Sequence, residues 1–455
     1  MQKLNRKYNL ITTISLVIGI VMGSGIFLKN ISILKNTGGN IVLSSIVFLI
    51  VGLIMIVSAY TFSIAASRIE KVNGIIDYME EAVGTKGAYY VGFYFNMVYL
   101  PIITAVLAFL SADFFKQLMG IQNQTFSMYM GFIFLVLSFL LNVGAPKLAG
   151  KFQVSTTLIK LIPIVAVATL GFIIGLQAEQ HVIIDIGKTT APIKFFDALL
   201  AAAFAYEGWI ISTTVNAEVK DSKKNLPKAL VIGCMVVIVS YIIYNIGIAM
   251  LLGSDAILQS TNDQQMVELA FTKLFFNNTW GGKVFLAFIF ISCLGVLNGL
   301  TMGVSRGMYS LAIRNQGPKP RVFSKLNTHT NTSIASGIVA FVVSALFFGY
   351  FVLAIVFKKV AGNIDEIAIA FLYIAYIFIY IHIMKTYKDL SLFKRIIMPI
   401  LAIGGALFII FASFHVLYTN MMDQSLDIHH RIPYILIITI ISFVVAKIFY
   451  KKALK

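Results

Sequence analysis

Charge is what this 455-residue chain has least of: Asp, Glu, Lys and Arg together make up 12% of it, against about 25% in an average globular sequence. Hydrophobic residues make up 59% and the mean hydropathy is +0.88, more apolar surface than a water-soluble fold can hide. Intrinsic disorder is excluded by the same figures. The two cysteines, Cys234 and Cys293, are too few for a disulfide framework, and both fall inside apolar runs, where they read as packing residues. No GxxxxGK phosphate loop occurs and the six histidines lack metal-ligand spacing. The hydrophilic connections are too short to hold a soluble catalytic or nucleotide-binding domain. No cofactor is expected. Nucleic acid is not an expected partner either, because the net charge of +17 is spread in short clusters between apolar runs.

What the chain does have is apolar runs of the length that crosses a bilayer, about 20 residues each. Twelve are expected, over 10–33, 41–66, 88–115, 127–144, 152–176, 194–214, 228–252, 282–306, 333–357, 364–386, 393–417 and 432–450. The sequence therefore reads as an all-α integral membrane protein, one transmembrane domain in contact with lipid. The first run follows Lys3, Arg6 and Lys7 as a signal peptide would, but its apolar character continues past Gly23 and Gly25, and it is expected to be a retained span. With the N-terminus inside, about 25 Lys and Arg fall on the cytoplasmic side and about 10 outside, which places both termini in the cytoplasm. Between the second and third runs, Ile75, Ile76 and Met79 recur at helical spacing among Asp77, Glu80 and Glu81. That stretch reads either as an amphipathic helix lying on the membrane surface or as a solvated loop.

Two runs contain segments that do not favour an unbroken helix. In the first, Gly19 is followed by Gly23-Ser24-Gly25-Ile26-Phe27; in the sixth, Phe204-Ala205-Tyr206-Glu207-Gly208-Trp209 sets a carboxylate beside a glycine. Each glycine weakens a helix by about 1 kcal/mol relative to alanine. Non-helical backbone at membrane depth has to be buried or to line a cavity. The two runs stand five apart, as equivalent positions in two five-helix repeats would. Expected boundaries are about 9–176 and 194–386 for the repeats and about 393–450 for two additional helices. A half-helix starting after a break offers unpaired N–H groups and a positive dipole end to a carboxylate. The carbonyls exposed at the break can accept from an ammonium. Together they complement a zwitterionic α-amino acid.

At these residues the sequence resembles the amino acid–polyamine–organocation superfamily, in particular the L-type amino acid transporters and the bacterial serine/threonine and alanine/serine/cysteine exchangers. The resemblance rests on GSGIF at 23–27, FAYEGW at 204–209, the E-V-K and N-L-P-K-A elements between Glu218 and Ala229, and SRGMYSLA at 305–312. It implies a leucine-transporter-type fold of twelve helices, two inverted five-helix repeats plus two, with helices 1 and 6 discontinuous. By position it implies that Gly23, Ser24, Gly25 and Ile26 form the carboxylate site through their backbone. It implies that carbonyls near Ile20 and Val21, and those of Phe204, Ala205 and Glu207, receive the ammonium, and that Phe204 closes over the substrate. Tyr206 and Trp209 are either outer-gate residues or interface anchors. Glu207 carries a proton, contacts substrate or ties up loose backbone amides. Lys160, the one basic residue assigned to neither side of the membrane, either snorkels to the cytoplasmic side or, as the resemblance implies, occupies the place of a sodium ion against the broken first helix. Tyr241 is implied as its partner, with Tyr244 as a rival.

The implied function is sodium-independent exchange of small neutral amino acids across the plasma membrane by alternating access. The alternative is proton-coupled symport on the same fold. No catalytic cluster is visible, so an enzyme is not expected. No cysteine lies in the loop around 116–126, where animal L-type transporters bond a glycoprotein, so a covalent heavy chain is not expected.

Overall fold

A computed structural model describes residues 6, 8–23, 25–69, 74–177, 189, 191–259, 263–274, 279–358, 360, 364–423 and 432–450. Nearly all of them are helical, and among them ten helices are long and apolar enough to cross a membrane. The bent pair Leu10–Val21 and Gly25–Asn36 supplies an eleventh span. A shorter apolar helix, Tyr434–Phe449, lies where the twelfth run is expected.

Local signals place the helix ends. The Asn9 side chain accepts from Thr12 N–H (2.9 Å) and starts the first span; Asn40 does the same for Leu43 N–H (2.8 Å) at the start of the second. Between them the chain reverses at Gly38 and Gly39, both at positive φ (65° and 77°), where Gly39 N–H reaches back to the Leu34 carbonyl at 2.9 Å.

The helices form two packed groups. The first, second (Ile41–Arg68), sixth (Phe195–Glu218) and seventh (Ser222–Leu252) spans make one, and the third (Gly74–Leu118), fourth (Thr125–Gly144), eighth (Trp280–Ala312) and ninth (Ile334–Val356) make the other. The fifth span, Pro146–Ile174, touches both groups, against the first and seventh on one hand and the eighth on the other. Asn245 binds the first group together: its Oδ1 accepts from Asn30 Nδ2 (2.9 Å), while its own Nδ2 donates to Ser44 and Ser45 of the second span. In the second group Asn142, Asn298 and Gln153 form a buried chain linking the fourth, eighth and fifth spans. Such buried polar chains fix helix register within apolar surroundings. Cys234 and Cys293 are buried and unbridged.

The stretch ahead of the third span takes the helical reading of its sequence, with one face packed on protein. Residues from Gly74 onward form a helix that runs into the third span, interrupted only at Gly84 (φ 75°, ψ 175°). It is not a solvated loop but a two-faced helix: Ile75, Ile76, Asp77, Tyr78 and Met79 are buried against protein, while Glu81 and Val83 are exposed. The physical reason is a countercharge from a distant part of the chain. Arg314, just past the eighth span, pairs with Asp77 and lies 3.5 Å from Glu80, so the acidic face is drawn inward. Glu70 lies outside the described residues.

Candidate functional site

The first span stops at Val21 and resumes at Gly25, with a 41° bend between its halves. The carbonyls on the near side of the break have lost their helical donors, and side chains from other helices replace them. Lys160 Nζ, fully buried on the fifth span, donates to the Gly19 carbonyl (2.7 Å) and the Met22 carbonyl (2.6 Å). It therefore does not snorkel to an aqueous face; an ammonium that deep is held by carbonyl dipoles. Ser292 on the eighth span reaches the same Met22 carbonyl at 3.4 Å. Tyr241 on the seventh span lies 3.0 Å from both the Val21 and Ala205 carbonyls, linking the first break to the sixth. Tyr244 turns elsewhere, edge-on to Phe27. Two of the carbonyls expected to meet an ammonium, those of Val21 and Ala205, thus share the single proton of the Tyr241 hydroxyl, and the Phe204 carbonyl accepts from Glu207 N–H at 3.1 Å.

Close approach explains the glycines. A Cβ on Gly19 would meet Thr157 Oγ1 at 2.2 Å, and one on Gly25 would meet Ala205 Cα at 3.0 Å. The second contact brings the two breaks together backbone to backbone. Ser24 lies outside the described residues.

The sixth span breaks after Ala205. Gly208 turns through φ 109°, a conformation side chains resist, and a Cβ there would strike Ile20 Cγ2 at 2.8 Å. The chain then continues as a tighter 3₁₀ helix, Trp209–Glu218. Here the hydroxyls of Ser212, Thr213 and Thr214 donate to the carbonyls three residues back, at 2.7–2.8 Å.

Both breaks open onto one cavity. Ile20, Val21, Gly23, Gly25, Phe204, Glu207 and Gly208 line it from the first group of helices. Ile103 and Leu107 of the third span and Val296 and Leu300 of the eighth line it from the second. Its side-chain wall is therefore aliphatic and aromatic, with Glu207 as the one ionisable group among the described residues that line it. Glu207 Oε1 accepts from Tyr99 OH at 2.5 Å, and Oε2 is buried with no partner among the described residues.

Of the residues singled out from sequence, Ile26, Ala205, Tyr206 and Trp209 are buried but absent from the cavity wall. Trp209 is fully buried between Phe62 and Tyr376 (centroids 5.3 and 5.8 Å), which corrects the reading of it as an interface anchor. Tyr206 stacks on Tyr241 at 4.9 Å. Sequence reasoning missed Tyr99, Ser292, Ile103, Leu107, Val296 and Leu300. Tyr99 ends a π-helical turn, Phe95–Tyr99, and the others lie on regular α-helices, where nothing in an apolar run marks which face meets a cavity.

With the geometry in view, comparison with known proteins is decisive. The amino acid permease family model matches residues 8–443. The chain belongs to the amino acid permease family. Within it, this permease is similar to the serine/threonine exchanger SteT of Bacillus subtilis, 27% identical over 434 residues, covering 93% of this chain and 94% of that one. It is also similar to the b(0,+)-type amino acid transporter 1 of Rattus norvegicus (24% identical, 90% and 82% covered). The cystine/glutamate transporter of Homo sapiens matches at 24% identity over 74% of this chain and 66% of its own. Among solved structures, MhsT in complex with L-phenylalanine superposes with a TM-score of 0.62 at 15% identity, covering 91% of this permease and all of that chain. The fold is the leucine-transporter type, with discontinuous first and sixth helices, in a multi-pass membrane protein.

Proposed function

We propose that this permease is a sodium-independent exchanger of neutral amino acids in the plasma membrane, with both termini cytoplasmic, working by alternating access around the cavity between its two broken helices. The observation that carries the reading is the Lys160 ammonium on the Gly19 and Met22 carbonyls. A tethered cation at that position stabilises the broken first helix without a mobile one. The backbone N–H groups of Gly23, Gly25 and Ile26 suit a substrate carboxylate, and the carbonyls near Ile20 and Val21 and those of Phe204, Ala205 and Glu207 suit its ammonium. The aliphatic wall offers a charged side chain no fixed partner except Glu207, so neutral and small side chains are favoured. Phe204 closes the cavity over the substrate. Resemblance to a serine/threonine exchanger points the same way, and no bond is made or broken in the cycle.

Purified protein in proteoliposomes tests this. Labelled L-alanine should enter only vesicles preloaded with unlabelled neutral amino acid, and replacing sodium by choline should change nothing. One feature favours a second reading: Glu207 is a buried carboxyl with one oxygen unpartnered, a place for a transported proton. Uptake into empty vesicles driven by an inward proton gradient would establish that symport and overturn exchange. A sodium requirement would overturn both.

A further inference from the structure

The half-helix after the first break, Gly25–Asn36, and the half-helix before the sixth, Phe195–Ala205, meet at three levels. At the far end Lys194 N–H donates to the Asn36 carbonyl at 2.8 Å. At the cavity Gly25 abuts Ala205. Between these lies a contact of a different kind: Lys29 Nζ sits over the face of the Phe204 ring, 4.9 Å from its centroid. Phe204 lines the cavity and is 8% exposed, whereas Lys29 is absent from the cavity wall. The ammonium therefore touches the ring that walls the cavity without reaching the cavity itself.

We propose that Lys29 is a positioning residue for Phe204: its charge holds the ring in place over the bound amino acid and so sets how readily the substrate escapes. The inference rests on the transport function proposed above. A ring on the last turn of a helix that stops at Ala205 has no continuing helix to restrain it, and a cation over its face is attracted by the ring quadrupole. Lys29 belongs to the half-helix that also presents Gly25 to the cavity, so the contact couples the ring to the element that would hold the substrate carboxylate. Arginine can make the same contact, while glutamine cannot.

The test measures labelled L-alanine exchange in proteoliposomes for Lys29→Gln, Lys29→Arg, Phe204→Leu and the double variant Lys29→Gln/Phe204→Leu. Loss of one such contact at a partly exposed site corresponds to about a 2- to 5-fold change in an equilibrium. Lys29→Gln should raise KM by that factor with Vmax retained, Lys29→Arg should restore it, and Lys29→Gln should add nothing once Phe204 is leucine. An unchanged KM in Lys29→Gln, failure of arginine to restore it, or the same change in the Phe204→Leu background would overturn the proposal. Melting temperatures of the same four proteins in detergent, without substrate, give a second cycle. Should wild-type vesicles exchange no L-alanine, L-serine or L-leucine, the functional reading falls, and that cycle decides the contact alone: non-additive shifts uphold it and additive shifts overturn it.

Discussion

The two broken spans solve the same physical problem in opposite ways. The first is held open from outside, by Lys160 of the fifth span, Ser292 of the eighth and Tyr241 of the seventh. The sixth relies more on its own backbone, through the positive φ of Gly208 and three hydroxyls that turn back on their own 3₁₀ helix, with Tyr241 and Tyr99 adding contacts at Ala205 and Glu207. A break supported by other helices is coupled to where those helices are. The fifth and eighth spans pack together while the first and seventh belong to the other group, so the first break stands where the two groups can move against each other. The sixth can keep its shape through such a movement.

Removing the outside support should have the largest effect. A hydrogen bond to a charged group contributes about 1.5–3 kcal/mol, and Lys160→Ala loses the two short ones to the first break, at the Gly19 and Met22 carbonyls, along with a longer one to the Ser292 carbonyl. Transport should fall by roughly 100-fold or more while the protein still reaches the membrane, as uptake assays and surface quantification would record; kinetics like those of wild type would mean the break does not need its tether. Next comes Gly208→Ala, which attacks the self-supported break. Strain at such a φ costs about 1–3 kcal/mol, and the added methyl meets Ile20. Melting temperature should drop and exchange should slow together, whereas an unaltered melting curve would show that the sixth span has another way to turn.

Tyr241→Phe removes the hydroxyl common to both breaks. With about 1 kcal/mol at stake, exchange should slow by about 5-fold with folding intact, and the effect should shrink when Lys160 is already alanine, since both side chains meet carbonyls of the first break. Independent, additive losses in that cycle would separate the two. Smallest of all, Ser212→Ala should be near neutral in both uptake and melting, because Thr213 and Thr214 keep the adjacent bonds. A loss comparable to that of Lys160→Ala would erase the distinction between an imposed break and a self-made one.

A contrast of the same kind runs through what could be read without coordinates. The spans were legible because lipid forces long apolar runs, and the breaks because glycine at Gly23, Gly25 and Gly208 interrupts them in mid-run. Lys160 stood out for its charge. Tyr99 did not: a tyrosine in an apolar helix is ordinary, and only the approach of the third span to the sixth makes it the partner of Glu207. The inward pull on the helix after Gly74 was equally hidden, since Arg314 lies 237 residues from Asp77 in the chain. The end of the sixth span shows the same dependence on distance. Glu218 pairs with Arg306 of the eighth span, and its carbonyl accepts from Tyr8 N–H at 2.9 Å, a closure that composition and periodicity do not encode.

By itself the sequence determined that the chain crosses a membrane many times, where two crossings fail, and which backbone groups those failures leave bare, because helix propensity and hydropathy act over a few residues at a time. Tertiary structure alone decided what covers those bare groups and what walls the cavity between them. Carbonyls of the first break find an ammonium from the fifth span, and Phe204 finds Lys29, only after helices distant in the chain have packed side by side, and direct contacts of this kind act over a few ångströms, however many residues separate the partners.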